Sequence, residues 1–296
     1  MKILVTGATG LVGEAVAARL AGLGHEVVGL SRRVSGVLPS GVRQLQADLG
    51  EPESLAVAVR GVECEAVVHC VADRTPRAGD ASVVRVNCLG TQQVIELARR
   101  WKARSLVYIS GVAVIGRPVE HPVTEEHPVG PLNEYVAAKL FGEYLAEIAG
   151  REGVMAACTL RLTAPVGARM PGNRLLSSVV EKALRGDRIE INGDGSRRQN
   201  YVDVLDVARG VEQVIGGRVS GLFNIGGRDT VSNLELGRRC VEVVGSKSEI
   251  VVGGQPDPDD GVVWDVCCEK ARERFGYRAE VGIEESIRSL ACVRLS

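Results

Sequence analysis

The chain has 296 residues, 45% hydrophobic and 25% charged, with a formal net charge of -1. This is the balance of an ordinary globular protein, long enough for one large domain or two joined lobes. It argues against an electrostatic nucleic-acid binder, and no run approaches the ~20 apolar residues that span a bilayer. The opening run Lys2-Ile3-Leu4-Val5-Thr6-Gly7 is too short for a signal peptide and ends in a glycine turn, so a cytoplasmic protein is expected.

In chain order, short apolar runs predict strands over 2–6, 26–30, 66–70, 105–110 and 156–162. Amphipathic stretches between them predict helices over 11–23, 53–59, 82–101 and 133–149. Such alternation implies a parallel sheet covered on both faces, and continuously apolar strands are what two-sided burial demands. From about Ala164 the loops grow rich in Gly, Pro, Asp and Arg, and Ser232-Asn233-Leu234-Glu235 reads as a capping box. The eight cysteines (64, 70, 88, 158, 240, 267, 268 and 292) form no C-x-x-C pair, and the four histidines show no metal-ligand spacing. Reduced thiols and no metal are expected.

Thr6-Gly7-Ala8-Thr9-Gly10-Leu11-Val12-Gly13 follows a predicted strand and opens a predicted helix. One glycine makes the tight turn, one admits a pyrophosphate to the backbone, and one lets helix and strand pack closely. Free N–H groups at the helix start then meet the phosphate charge. The expected fold class is therefore α/β: a Rossmann-type doubly wound parallel sheet binding NAD(P) over 1–165, with a smaller C-terminal α/β substrate lobe over 166–296. Segments within 200–226, around 201–215 and 222–225, are expected to return to the sheet.

The second strand ends in Ser31-Arg32-Arg33, where an NAD enzyme usually places a carboxylate for the ribose 2′-hydroxyl. Two guanidiniums suit a 2′-phosphate, which favours NADP over NAD; the plainer reading is two solvated loop charges. Asp48-Leu49 closes the third strand region, and Asp48 reads equally as an acceptor for the adenine amino group or as a turn residue. Tyr135-Val136-Ala137-Ala138-Lys139 puts Tyr135 and Lys139 on one helix face. An ammonium beside a phenol lowers its pKa, so the pair is expected to work as an acid/base centre.

With these residues the sequence resembles the NAD-dependent epimerase/dehydratase family, the extended short-chain dehydrogenase/reductases. The likeness covers nearly the whole chain. It includes Val67-Val68-His69-Cys70-Val71-Ala72, Asn87-Cys88-Leu89-Gly90-Thr91, Gly193-Asp194-Gly195, Tyr201-Val202-Asp203-Val204-Leu205-Asp206-Val207-Ala208, Phe223-Asn224-Ile225-Gly226, and Lys270–Tyr277 with Asp265. The resemblance implies Tyr135 as acid/base and Lys139 as the residue that binds the nicotinamide ribose and tunes Tyr135. It implies cofactor contacts from Gly7, Thr9, Gly10, Leu11, Val12, Ser31, Arg32, Arg33, Asp48, Leu49, Cys70, Val71, Ala72, Asn87 and Ile109, with Gly13 also along the pyrophosphate. It also implies a homodimer built on the Tyr-bearing helix and the one before it, where Leu97, Ala98, Leu140 and Tyr144 are candidates.

The chain departs from the family pattern at several positions. The hydroxyl residue that orients the reacting oxygen falls at Gly111; Ser110, one residue early, is the candidate replacement. The Asp-Glu of the 4,6-dehydratases is Val112-Ala113, which argues against dehydration. Two positions that often hold a nucleotide-sugar diphosphate are Ala164 and Gln199, but Arg74, Arg77, Arg169, Arg174, Arg197 and Arg198 fall near the expected cleft and suit a small anionic substrate such as a nucleotide sugar. Three readings follow: an epimerase first, then an NADPH-dependent reductase of a small carbonyl compound, then a non-catalytic dinucleotide sensor.

Overall fold

A computed structural model describes residues 1–51, 53–74 and 81–295. The first half alternates as β1 (Lys2–Thr6), α1 (Leu11–Gly22), β2 (Glu26–Ser31), β3 (Arg43–Gln46), α2 (Ser54–Ala58) and β4 (Ala66–His69). A π-helical turn (Val84–Leu89) runs into α3 (Gly90–Arg100), followed by β5 (Ser105–Gly111), a 3-10 turn (Val112–Ile115), α4 (Glu134–Arg151) and β6 (Ala156–Leu162). Then come β7 (Ala164–Val166), α5 (Leu175–Arg185), β8 (Ile189–Ile191), β9 (Arg198–Asp203), α6 (Val204–Gly217) and β10 (Gly221–Ile225). The chain closes with β11 (Thr230–Ser232), α7 (Asn233–Val244), β12 (Ile250–Val252), α8 (Glu269–Phe275) and α9 (Ile283–Leu295).

Seven parallel strands in the order β10-β6-β5-β4-β1-β2-β3 form the central sheet. Successive strand residues face opposite cores. Ile3, Val5, Val107 and Leu160 pack with Val16 and Leu20 of α1 and Val207 and Val211 of α6. Leu4, Val28, Val67 and Leu106 pack with Val94 and Ala98 of α3 and Ala146 of α4. A third core, including Leu176, Val180, Ile191, Leu236 and Leu290, joins α5, α7 and α9 to the short sheets β11-β9-β7 and β12-β8. The capping box at Ser232 and Glu235 forms as the sequence predicts.

Three expectations about elements change. Residues 222–225 do return to the central sheet, as β10 beside β6, but β9 pairs with β7 and β11 instead. Only α6 of the 201–215 stretch covers that sheet, against α1. The helix expected over 82–101 is interrupted by a π turn that carries Asn87, which is tied to a neighbouring loop: its Oδ1 accepts from the Asp73 N–H at 2.7 Å and its Nδ2 donates to the Asp73 carbonyl at 2.8 Å. The third strand stops at Gln46, before Asp48, whose Oδ1 accepts from the Gly50 N–H at 2.8 Å.

A buried polar chain links the sheet to α3. Thr91 donates to the Asn87 carbonyl at 2.7 Å, so its oxygen receives the Nε2–H of His69 at 3.0 Å. His69 Nδ1 then accepts from the Thr6 hydroxyl at 2.7 Å. Burial, with help from the Lys139 charge, lowers the imidazole pKa to about 3. Above pH ~6.5 His69 is neutral whether the chain is folded or not. As the pH falls below that, the unfolded chain takes up a proton that the native ring refuses until about pH 3, so stability drains away by up to ~1.4 kcal/mol per pH unit. Thermal melts from pH 7 to 5 should show this loss, and His69→Gln should flatten the dependence. An unchanged slope in the variant would assign the loss to other groups.

Candidate active site

The start of α1 forms a cradle at the carboxyl edge of the sheet. Gly7 turns at φ 68°. A methyl group there would lie 3.0 Å from the backbone of Cys70 and Val71, and one on Gly13 would lie 2.2 Å from the Gly7 carbonyl oxygen. Helix and strand thus approach as closely as backbone allows, which requires glycine. Gly10 caps the helix with no side-chain hydrogen bond, leaving the cap position to a ligand. These features fit a dinucleotide pyrophosphate.

Two adjoining hollows share Gly7, Gly10, Cys70 and Ala72. One, of about 770 Å³, is lined by Thr9, Ser31, Arg32, Arg33, Asp48, Leu49 and Val71. The other, of about 460 Å³, is lined by Leu11, Val12, Ile109, Ser110, Tyr135 and Lys139. The structure therefore brings together every expected cofactor residue except Asn87, whose amide is occupied in bracing the Asp73 loop. Asp48 lines the groove while also serving as the turn residue. Ser31 donates to the Arg33 carbonyl at 2.7 Å and shapes the loop that leaves both arginines exposed.

Tyr135, Lys139 and Glu143 lie at successive turns of α4. Asn133 caps the helix by accepting the Val136 N–H. The Lys139 ammonium, 6% exposed, donates to the Ile109 carbonyl at 2.8 Å and sits 4.9 Å from the centre of the Tyr108 ring. Burial pushes its pKa down to about 8, partly countered by Cys70 and Glu143. Tyr135 is half-buried, and desolvation raises its pKa. The cation that opposes this rise is Arg74, 5.9 Å from the ring centroid. This corrects the expectation that Lys139 lowers the phenol pKa: its charge is itself desolvated and turned toward Ile109 and Tyr108.

Ser110 is corrected too. It borders the cleft, yet its hydroxyl donates to Glu143 at 2.6 Å, and Glu143 is paired with Arg161 at 2.8 Å. Strand alternation sends Ser110 and Arg161, which are register partners, to the α4 face. The hydroxyl proton is committed to a buried ion pair, so Ser110 does not replace the missing hydroxyl at Gly111. The sequence signal for Glu143 is its spacing of four residues from Lys139.

Of the cationic candidates, Arg74, Arg174 and Arg197 line the cleft. Arg197 is held by Asp259 at 3.1 Å, Asp257 at 3.7 Å and the amide oxygen of Gln199 when that amide faces it. Arg169 pairs with Glu14 at 3.2 Å, and Arg198 turns to the Thr230 carbonyl and Glu235. Arg77 lies outside the described residues. Neither Arg74 nor Arg174 has an ion-pair partner among the described residues. Val112, Ala113, Pro165 and Trp264 complete the wall. Trp264 was not singled out in the sequence; it is carried by a loop whose backbone bonds to Arg198.

The profile of the NAD dependent epimerase/dehydratase family matches residues 3–226. A dTDP-glucose 4,6-dehydratase of Streptomyces niveus is 28% identical, over 97% of this chain and 90% of that protein. A UDP-glucose 4-epimerase of Bacillus subtilis is 26% identical, over 96% and 94%. The UDP-glucose 4-epimerase of Thermotoga maritima, solved with UDP-glucose, superposes with a TM-score of 0.89 over 99% of this chain and 98% of that one, at 24% identity. The UDP-glucose 4-epimerase of Thermus thermophilus, solved with NAD, gives 0.86 at 24% identity over 99% of each chain. At that identity the structural likeness speaks for the fold, and the sequence match carries the assignment. By its glycine cradle, its Tyr–Lys helix and a sequence profile spanning most of its length, the chain belongs to the NAD dependent epimerase/dehydratase family.

Proposed function

We propose that this protein epimerises a sugar nucleotide with the help of a dinucleotide cofactor. The observation that carries this reading is the placement of Tyr135 and Lys139 on one face of α4, lining a cleft continuous with the glycine cradle. A nicotinamide held in this cleft would supply reversible hydride transfer. The Tyr135 phenol, protonated while burial keeps its pKa high, is the group that exchanges a proton with a sugar hydroxyl or carbonyl. Arg74 favours the phenolate form during that exchange. The Lys139 ammonium has further N–H donors beside the one given to Ile109, and these suit the cofactor ribose.

Arg74 and Arg174 supply positive charge for a diphosphate. Val112 and Ala113 carry no proton to trade, which supports epimerisation over elimination of water. The first relatives act, by their names, on UDP- and dTDP-linked hexoses, which supports that substrate class. Arg32 and Arg33, exposed beside the groove and without an ion-pair partner among the described residues, support NADP over NAD. The same arginines favour the second reading, an NADPH-dependent reductase of a small carbonyl compound.

The reading extends to a cytoplasmic homodimer. All eight cysteines are free, which suits a reducing compartment, and no helix among the described residues is long and apolar enough to cross a membrane. Leu97 and Ala98 belong to the core and leave the dimer surface. Val84, Leu89, Phe141, Tyr144 and Ile148 are the exposed apolar side chains on the π turn and α4, and we assign the contact to them.

Tyr135→Phe should cut kcat about 100-fold or more while NAD(P) affinity stays within about twofold; collapse of cofactor binding would make Tyr135 a structural residue. Replacing Arg32 and Arg33 by Ala should weaken NADP about 10-fold more than NAD, and equal losses would remove the NADP preference. Purified protein carrying stoichiometric cofactor fits the epimerase; cofactor that exchanges and is consumed fits the reductase. Phe141→Asp with Tyr144→Asp should halve the mass seen by light scattering, and an unchanged dimer would relocate the interface.

A further inference from the structure

We propose that Thr163 is a catalytic residue whose hydroxyl orients the reacting oxygen of the substrate, a role that rests on the hydride-transfer reading above. Gly111 has no side chain for that task, and Ser110 gives its proton to Glu143. Thr163 follows β6 directly, and its N–H bonds the Ile225 carbonyl at 3.0 Å, which fixes its backbone at the carboxyl edge of the sheet. It lines the same cleft as Tyr135 and Lys139 and is 5% exposed.

Its hydroxyl oxygen is buried without a hydrogen-bond partner. Native proteins rarely leave such a group unpaired, because the lost hydration is not recovered. The other orphaned buried side-chain atoms among the described residues are on Gln213, Asn224 and Asp260, and none of those residues lines the cleft. An orphaned polar group at a site wall is poised for a ligand that completes it.

Thr163 also lies at the same end of the sheet as Gly111. Gly111 is the register partner of Leu162, the residue before Thr163. A side chain on Gly111 would meet only the Leu162 carbonyl, at an ordinary 3.6 Å, and Gly111 has an extended backbone at φ -151° that any residue adopts. The space of the absent hydroxyl is therefore open beside the strand end that carries Thr163. In the bound state the Thr163 hydroxyl donates to the sugar oxygen at the reacting carbon while Tyr135 exchanges the proton.

The test compares Thr163→Val, Thr163→Ser, Gly111→Ser and Gly111→Ser with Thr163→Val. The probes are UDP- and dTDP-linked hexoses with NAD and NADP. Thr163→Val should lower kcat about 10- to 100-fold, leave cofactor affinity within about threefold, and hold or raise the Tm of the ligand-free protein, since an unpaired buried hydroxyl is removed. Thr163→Ser, which keeps the hydroxyl, should recover most of the kcat lost in Thr163→Val. Gly111→Ser should restore most of the activity lost in Thr163→Val.

Wild-type kcat in Thr163→Val would overturn the proposal. So would a lowered Tm of the free variant, which would reveal a structural partner, or a loss confined to cofactor affinity, which would move the hydroxyl to the nicotinamide amide. The Tm comparison needs no substrate. A wild-type protein that binds neither dinucleotide overturns the hydride-transfer reading and the Thr163 role with it, whereas dinucleotide binding with a failed Thr163→Val effect overturns the Thr163 role alone.

Discussion

The site depends on how α4 is pinned to the ends of β5 and β6. Lys139 reaches the Ile109 carbonyl, the Tyr108 hydroxyl reaches back to the Lys139 carbonyl at 3.3 Å, and Glu143 binds both Ser110 and Arg161. Gly142 makes the fit tight: a methyl there would lie 2.3 Å from the Tyr108 hydroxyl. Together these contacts fix the rotation of the helix and hence the direction of Tyr135. A buried ion pair is a poor source of net stability but a strong constraint on arrangement, because either partner left alone is costly. Here that constraint is applied two turns from the phenol.

The same packing explains the electrostatics. Taking Lys139 out of water lowers its pKa to about 8, and taking Tyr135 out of water raises its pKa, so burial holds both side chains toward their neutral forms. Arg74, on the loop after β4, opposes the rise at the phenol.

Local physics was readable in the sequence. The extents of β1 and β6 follow from their apolar runs, and the glycine cradle follows from three residues within one turn. The capping box at Ser232 is equally local. What escaped was decided across strands. Whether Ser110 faces substrate or α4 depends on its pairing with Arg161, 51 positions on, and on Glu143 below. The arginines looked alike in sequence, yet Glu14, Asp257, Asp259 and Glu235 claim three of them. Asn87 carried a family motif, but its amide braces a loop. The short strands β7, β8, β11 and β12, of three residues each, leave no periodic signal. Thr163 stands beside Ala164, a departure from the family pattern, and what distinguishes it is its orphaned hydroxyl.

The most direct check on the pinned-helix account is a crystal structure of the protein with NAD(P) and a nucleotide sugar, read for the distance between the Tyr135 hydroxyl and the sugar oxygen at the carbon facing the nicotinamide. The account predicts a hydrogen bond there, with the pyrophosphate on the Gly7–Gly13 turn and Lys139 still bound to Ile109. A phenol turned away from the sugar while the cofactor is seated, or a dinucleotide bound elsewhere, would contradict it.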